Sequence, residues 1–300
     1  MTTSPSRDVL RPLVWGAMLI ASQLPIILFR LSTGADAAPA WLIWARVAVL
    51  GLLLALTFVL PRVRDLRGYL LALIAFLVGW EVITPAILHH PAVERYSEEA
   101  SIGARILLTR TVPVVGVALM ALTLWGSGIT RRDLFLVRGD VSAPARATPL
   151  LGIREGSSWM QVGMTFLLIL SSVLALFFAL TLRPSLTALP TLLLALPGIL
   201  LASAINSANE EFQFRSIFFA RLIPVLGAQE TLWLTAVLFG LGHFYGQPSG
   251  AVGVLLTGFA GWFWGKSMLE TRGFFWAWFI HMVQDVIILS FLVLAVTSRA

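Results

Sequence analysis

The sequence contains no cysteine and little charge. Only 12% of its 300 residues are Asp, Glu, Lys or Arg, whereas soluble domains carry about 25%. The missing cysteine excludes disulfides, thiolate nucleophiles and cysteine-based metal sites. The low charge, with 58% hydrophobic residues and a mean hydropathy of +0.88, excludes a disordered tail and a soluble nucleic-acid-binding module. We therefore expect a polytopic membrane protein whose main solvent is the lipid bilayer.

Long apolar runs fill most of the chain. A transmembrane helix needs about 20 apolar residues, and nine runs approach that length: 12–29, 40–60, 69–88, 106–125, 160–182, 188–206, 231–246, 250–269 and 274–297. The run at 231–246 is short and is interrupted by Gly240 and Gly242, so a count of eight also fits. The pattern predicts an all-α bundle of eight or nine transmembrane helices.

The basic residues set the expected orientation. They comprise 20 Arg and one Lys, of which 14 fall in loops on one side of the predicted bundle and four on the other. Because basic loops stay in the cytoplasm, the count places the N-terminus inside. The longest polar stretch then becomes a cytoplasmic connector at 127–159, between N-terminal transmembrane helices at 1–126 and a later bundle at 160–300.

Two adjacent carboxylates follow the sixth apolar run. Glu210 and Glu211 precede Arg215 in the segment Asn-Glu-Glu-Phe-Gln-Phe-Arg. On an α-helix, Glu211 and Arg215 are one turn apart and can pair, while Glu210 points about 100° away and is left for chemistry. The alternative is that these charged side chains have no catalytic role and reach from a helix end to the membrane interface.

Two later apolar runs carry histidines. His243 follows Phe239 and lies among Gly240, Gly242 and Gly246, whose small size permits a close approach to the imidazole or ordinary helix packing. His281 and Asp285 lie one turn apart in the last run. A carboxylate at that spacing can orient an imidazole or share a metal with it, and it can also fasten two helices together.

The three motifs together carry a family resemblance. A Glu-Glu-x-x-x-Arg, a Phe-x-x-x-His and a His-x-x-x-Asp, in this order on separate helices, resemble the CPBP family of intramembrane proteases. That family includes the CAAX prenyl endopeptidases and the Abi-like bacterial relatives linked to bacteriocin processing and self-immunity. The resemblance covers about residues 190 to 295. It implies a membrane endopeptidase acting on a membrane-associated protein or peptide. The absent cysteine, the charge bias with the N-terminus inside and the family's bacterial members together predict a bacterial cytoplasmic membrane, and an organellar membrane stays open.

The resemblance also implies residue roles. Glu210 is the base that activates water, supported by Glu211 and Arg215. His243 helps to hold that water, and His281 with Asp285 stabilises the oxyanion or completes the site. Because an ionised Asp cannot donate a hydrogen bond, orienting His281 or binding metal suits Asp285 better than contacting an oxyanion.

Several alternatives stay open from the residues alone. Glu211, His243 and His281 could hold a zinc ion, so a metal-dependent and a glutamate-driven mechanism both fit, with Glu210 favouring the second. A non-proteolytic immunity or scaffold protein could keep the same polar cluster to join its helices. A transporter could use the cluster as an ion relay. Glu81 and Arg46, also within apolar runs, could be structural partners, interfacial residues or parts of an unknown site.

Overall fold

A computed structural model describes residues 7–297 of the chain, with the side chains of residues 10–297. Between these limits the chain is helical, and its few β-bridges are isolated. The α-helices are α1 (Arg7–Ala21), α2 (Leu24–Thr33), α3 (Trp41–Val59), α4 (Arg67–Val78), α5 (Thr84–Leu88), α6 (Pro91–Glu99), α7 (Ile102–Thr111), α8 (Val114–Leu122), α9 (Trp159–Leu182), α10 (Leu189–Glu211), α11 (Ile217–Leu226), α12 (Ala228–Gly242), α13 (Gly250–Thr271) and α14 (Phe275–Thr297).

The long apolar helices confirm the all-α polytopic fold. Within residues 7–297, six helical stretches are long and apolar enough to cross a membrane, and a bent pair at Leu10–Thr33 raises the number to seven. Their outward faces carry bare apolar side chains such as Leu52 and Leu168, which are 67% and 64% exposed. Such faces are stable in lipid and costly in water. The chain is an integral multi-pass membrane protein.

Two of the nine predicted runs do not combine the length and the hydropathy of a span. Helix α12 has 15 residues, about 22 Å of rise, which is short of the hydrocarbon core. Helix α13 has 22 residues and is long enough, but its glycines and Lys266 lower its mean hydropathy below that of the spanning stretches. The N-terminal residue, whose side of the membrane the arginine count predicts, lies outside the described residues.

The chain packs as two compact units, each assembled from separate stretches of sequence. The first unit contains Met1–Ile83, Val115–Leu134 and Phe212–Lys266, and the second contains Thr84–Val114, Phe135–Glu211 and Ser267–Ala300. The sequence predicted three consecutive segments from hydropathy, at 1–126, 127–159 and 160–300. The two units are instead defined by which helices pack together, so their boundaries differ from those of the segments. The predicted site residues are divided between the two units.

In the first unit, a buried arginine stabilises a broken helix. Helices α1 and α2 are bent by 60°. Arg46 on α3 donates to the carbonyl oxygens of Ile20, Ala21 and Ser22 at 2.9, 2.9 and 2.7 Å. Its Nη1 lies 2.6 Å from Oε2 of Glu81. Since the bend frees carbonyl groups that lipid cannot solvate, Arg46 and Glu81 act as structural partners.

In the second unit, α10 packs against α7 and α14, and α14 packs against α9. Small residues let these helices approach. A Cβ added to Gly198 would lie 2.4 Å from the carbonyl oxygen of Gly103, and one added to Gly163 would lie 2.5 Å from the Trp276 ring. This close packing brings the polar ends of α10 and the middle of α14 side by side.

The polar segment before α9 is folded against the second unit. Glu270, near the end of α13, accepts hydrogen bonds from Nε1 of Trp159 at 2.9 Å and from the backbone N–H of Arg146 at 3.1 Å. Bridges join Pro144 to Ser158 and Thr148 to Ile153. The predicted connector is therefore an ordered loop in the part that belongs to this unit.

Candidate active site

The carboxylates of Glu210 and Glu211 lie in the last turn of α10, in the second unit. Both side chains are buried, at 7% and 0% exposure. The preceding residues Ala202, Ser203 and Ser207 are small and buried, so the neighbouring helix α14 can approach this end of α10 closely. Buried carboxylates on a membrane helix require polar partners, and α14 supplies them.

His281 on α14 lies between three carboxylates. Its Nδ1 is 2.8 Å from Oε1 of Glu211, and its Nε2 is 3.6 Å from Oε2 of Glu210. Oδ1 of Asp285 lies 3.8 Å from Nε2, which is beyond hydrogen-bond distance. The carboxylate that orients this imidazole is therefore Glu211 on a different helix, while Asp285, one turn along, lies beside Nε2.

Asn206 joins two of these carboxylates. Its Nδ2 donates to Oε1 of Glu210 at 3.2 Å and to Oδ2 of Asp285 at 2.9 Å. One amide group thus holds Glu210 and Asp285 on the same side of His281. The sequence interpretation did not include Asn206. Its position one turn before Glu210, as an amide within an apolar run, was the available signal.

Trp278 fixes the two helices next to this cluster. Its Nε1 donates to the carbonyl oxygen of Ala204 at 3.0 Å, a bond from α14 to α10. Ala204 lies two residues before Asn206, and Trp278 lies three residues before His281. The bond therefore sets the register that places Asn206 and Glu210 opposite His281 and Asp285.

His243 belongs to the first unit, directly after the end of α12. Its Nδ1 is 2.8 Å from the carbonyl oxygen of Phe239. Because a carbonyl oxygen only accepts, Nδ1 is the donor, and the neutral imidazole keeps its lone pair on Nε2. The imidazole is half-buried, with its ring centroid 4.4 Å from that of Phe239. His243 is thus held as an acceptor for a water proton or a ligand for a metal.

The glycines around His243 serve different purposes. A Cβ on Gly240 would lie 2.6 Å from the carbonyl oxygen of Val254, so this glycine permits α12 and α13 to cross closely. A Cβ on Gly246 would lie 3.1 Å from the carbonyl oxygen of His243, whereas one on Gly242 would meet nothing within 4 Å. Tight backbone packing around His243 accounts for two of the three.

Arg215 lies in the first unit, in a π-helical turn at Phe212–Ser216. The α-helical spacing behind the predicted pair with Glu211 does not continue through this turn. The Arg215 guanidinium is buried over the rings of Phe239 and Trp264, at 4.4 and 5.1 Å from their centroids. Its Nε donates to the carbonyl oxygen of Gly261 at 3.1 Å. Within its unit, Arg215 therefore contacts the same phenylalanine that orients His243.

The predicted zinc ligands are engaged differently. Glu211 and His281 hydrogen-bond each other directly. Among residues 7–297, no group of three or more His, Asp or Glu side chains is arranged to hold a metal ion. Glu211 and His281 by themselves supply two ligands, fewer than the three that a catalytic zinc site needs, so no chemical step is assigned to a metal. Zinc dependence stays a prediction.

Comparison with known proteins agrees with the motifs. Residues 190–287 match the family model described as type II CAAX prenyl endopeptidase Rce1-like. No curated protein and no solved structure matches the chain. The match covers all of the second-unit cluster from Asn206 to Asp285, together with His243 and Arg215. Residues 190–287, about a third of the chain, are therefore similar to the CAAX-type proteases of this family.

Proposed function

We propose that this protein is an intramembrane endopeptidase that hydrolyses a peptide bond in a membrane-associated protein or peptide, with Glu210 as the general base. The observation that carries the proposal is the position of Glu210. Its carboxylate is buried, hydrogen-bonded to Asn206 and 3.6 Å from Nε2 of His281. An oriented carboxylate next to an oriented imidazole is the pair that water-mediated amide hydrolysis needs.

In the first step, the oxygen of a water molecule attacks the carbonyl carbon of the scissile bond, and Glu210 takes the water proton. Asn206 holds Oε1 of Glu210, so Oε2 is the oxygen that receives the proton. The family resemblance assigns His243 to this water, and its unprotonated Nε2 is suited to accept a hydrogen bond from it.

In the second step, the developing oxyanion is stabilised and the bond breaks. With Glu211 ionised, Nδ1 of His281 donates to it, which leaves Nε2 facing the cluster. When Nε2 carries a proton, it donates to the oxyanion. Glu210 then returns its proton to the amide nitrogen as the C–N bond breaks, which gives a carboxylic acid and an amine. The acid proton passes to the amine, so the final products are a carboxylate and an ammonium. Asp285 accepts from Asn206 and acts by holding that amide in place.

Cleavage assays on purified protein in detergent test the proposal. The substrates are membrane-protein segments and lipidated peptides, including a prenylated CAAX peptide. Wild type is compared with Glu210→Gln, His243→Ala and Glu155→Gln, the last an exposed control outside the cluster. We expect Glu210→Gln to lower turnover by about 10²-fold to 10⁴-fold, the usual contribution of a general base, while Glu155→Gln cleaves like wild type.

A chelator arm separates the two mechanisms. Turnover that survives chelation supports the glutamate-driven route, whereas loss that zinc restores supports a metal ion. Equal cleavage by wild type and Glu210→Gln would show that Glu210 is not the base. If folded wild type cleaves nothing in a broad panel, the immunity or scaffold function becomes the better explanation. Solute flux in sealed vesicles without cleavage would support a transporter.

A further inference from the structure

A cavity of about 610 Å³ lies in the first unit, and none of its lining residues is one assigned to catalysis above. It is formed by the first turns of α1 and by the turn that joins α11 to α12. Its walls include Arg11, Trp15, Leu226, Gly227, Glu230 and Trp233. This volume falls within the range of about 300–1,000 Å³ that is typical of small-molecule pockets.

The cavity presents one positive and one negative group side by side. Nε of Arg11 is 2.5 Å from Oε1 of Glu230, and Nε1 of Trp15 donates to the same oxygen at 3.0 Å. Within the described part of the chain, the two terminal nitrogens of Arg11 and Oε2 of Glu230 have no hydrogen-bond partner. A ligand can therefore accept hydrogen bonds from the Arg11 guanidinium and donate one to the Glu230 carboxylate without breaking the ion pair.

This arrangement selects for charge type. A simple anion would be attracted by Arg11 and repelled by Glu230, and a simple cation would be attracted by Glu230 and repelled by Arg11. Because the pair is neutral overall, neither kind of ion gains much binding energy. A zwitterion satisfies both groups. A phosphate accepts from the guanidinium in charge-assisted hydrogen bonds, and a primary ammonium donates to the carboxylate.

The remaining walls indicate where the zwitterion comes from. Trp15 and Trp233 are large aromatic side chains in the cavity walls, and tryptophans are enriched at the headgroup region of a bilayer. Trp233 is half-exposed and stacks on Trp262 with the ring centroids 5.8 Å apart, so that wall is held in place. Charged pockets between the helices of membrane proteins are known to bind lipid headgroups. Because the protein lies in a bilayer, a phospholipid headgroup is the zwitterion that is most available to this cavity.

We propose that this cavity binds the headgroup of a phospholipid that carries both a phosphate and a primary ammonium, as phosphatidylethanolamine does. The phosphate accepts from the terminal nitrogens of Arg11, and the ammonium donates to Oε2 of Glu230. The acyl chains leave along the half-exposed ring of Trp233. This site does not depend on the proteolytic function proposed above.

Native mass spectrometry of the purified full-length protein measures the preference directly. Phosphatidylethanolamine, phosphatidylcholine and phosphatidylglycerol with identical acyl chains are titrated separately. Phosphatidylcholine keeps the positive charge without N–H donors, and phosphatidylglycerol lacks the ammonium. We expect wild type to bind phosphatidylethanolamine about 10-fold more tightly than either, as one hydrogen bond between charged groups allows.

Two variants and one control assign the preference to the pocket. Glu230→Gln should remove the preference for phosphatidylethanolamine over phosphatidylglycerol, while Arg11→Gln should weaken all three lipids. Arg64→Gln, which changes an exposed arginine paired with exposed Asp65, should leave every affinity unchanged. The preference of wild type alone tests the proposal if either variant fails to fold.

Three results would overturn the proposal. Equal affinity of wild type for the three lipids means that the pocket does not recognise the headgroup. Tighter binding of phosphatidylglycerol means that the site is selective for anions. Soluble phosphoethanolamine that binds as tightly as the lipid, with no contribution from the acyl chains, means that the ligand comes from water and not from the bilayer.

Discussion

Nδ1 of His281 lies 2.8 Å from Oε1 of Glu211, and the two residues are 70 positions apart in the chain. Both side chains are buried. The bond therefore joins α14 to α10 and orients the imidazole at the same time. It also explains why the second glutamate of the pair is needed in a proposal where only Glu210 acts as the base.

The role of Glu211 can be tested by removing its charge and its oxygen separately. Glu211→Gln keeps a side-chain oxygen that accepts from Nδ1, whereas Glu211→Ala leaves the imidazole unheld. We expect Gln to reduce kcat by about 10-fold and Ala by about 100-fold, because hydrogen bonds to charged groups contribute about 1.5–3 kcal/mol. Cleavage kinetics of folded protein measure this, and an Ala variant as active as the Gln variant would contradict it.

Asn206 should be a positioning residue for Glu210. Asn206→Asp keeps the shape but replaces the amide donor with an acceptor facing Glu210 and Asp285. We expect kcat to fall by about 10-fold to 100-fold with KM little changed, and the pH profile of kcat to move. Leu201→Ala, an exposed position on the same helix, is the control. An unchanged pH profile would mean that Asn206 only supports packing.

The ion pair of Arg46 and Glu81 should stabilise the first unit. Removing either partner leaves the other charged in an apolar environment, so Glu81→Gln or Arg46→Leu should lower the free energy of unfolding by about 3–5 kcal/mol. Thermal unfolding in detergent measures the loss. The double variant should remain less stable than wild type, because Arg46 also holds the three carbonyl oxygens at the helix break. A fully stable double variant would contradict this role.

Replacing two glycines in membrane helices by alanine should change the stability of the protein in opposite directions. Gly163→Ala places a Cβ 2.5 Å from the buried ring of Trp276, so it should destabilise by about 1–3 kcal/mol. Gly16→Ala meets nothing within 4 Å and should stabilise by up to about 1 kcal/mol. The melting temperatures of the two variants in detergent provide the comparison, and destabilisation by both would show that helix propensity in water does not apply at these sites.

Phe239 should affect activity beyond its effect on folding, because its ring contacts Arg215 and its carbonyl oxygen orients His243. Phe239→Leu removes the cation–π contact, which contributes about 2 kcal/mol when desolvated. Phe178→Leu changes an equally buried ring in the second unit, which stacks on Phe291. We expect both to lose stability and only Phe239→Leu to lose kcat per folded molecule. Equal kcat values for the two variants would show that Phe239 contributes only to packing.

The sequence predicted the arrangement of site residues best where the two residues lie within one turn of the same helix. His281 and Asp285 share a face of α14 as their spacing of four requires. The same local reasoning assigned Glu211 to Arg215, and that pairing stays a prediction; the segment Phe212–Ser216 that leads to Arg215 is a π-helical turn and not the α-helical turn that was assumed. A π turn depends on packing around the helix, which spacing along one chain does not report.

One relationship that the sequence interpretation missed and one that it left open are both long-range. Asn206 faces Asp285 from 79 residues away, and Arg46 faces Glu81 from 35 residues away. Each of these side chains was visible as a polar residue in an apolar run. Which of them meet depends on how the helices pack, and many pairings would satisfy the same composition.

The sequence by itself determined that the protein crosses the membrane and where its chemical groups lie along the chain. Hydropathy and the lack of charge are sums over residues, so they need no tertiary structure. Only the tertiary structure decided that Glu211 orients His281, that Asn206 bridges Glu210 and Asp285, and that the chain has six or seven spanning stretches within the described residues. In lipid each buried polar group must find a protein partner, and the packing of helices chooses it.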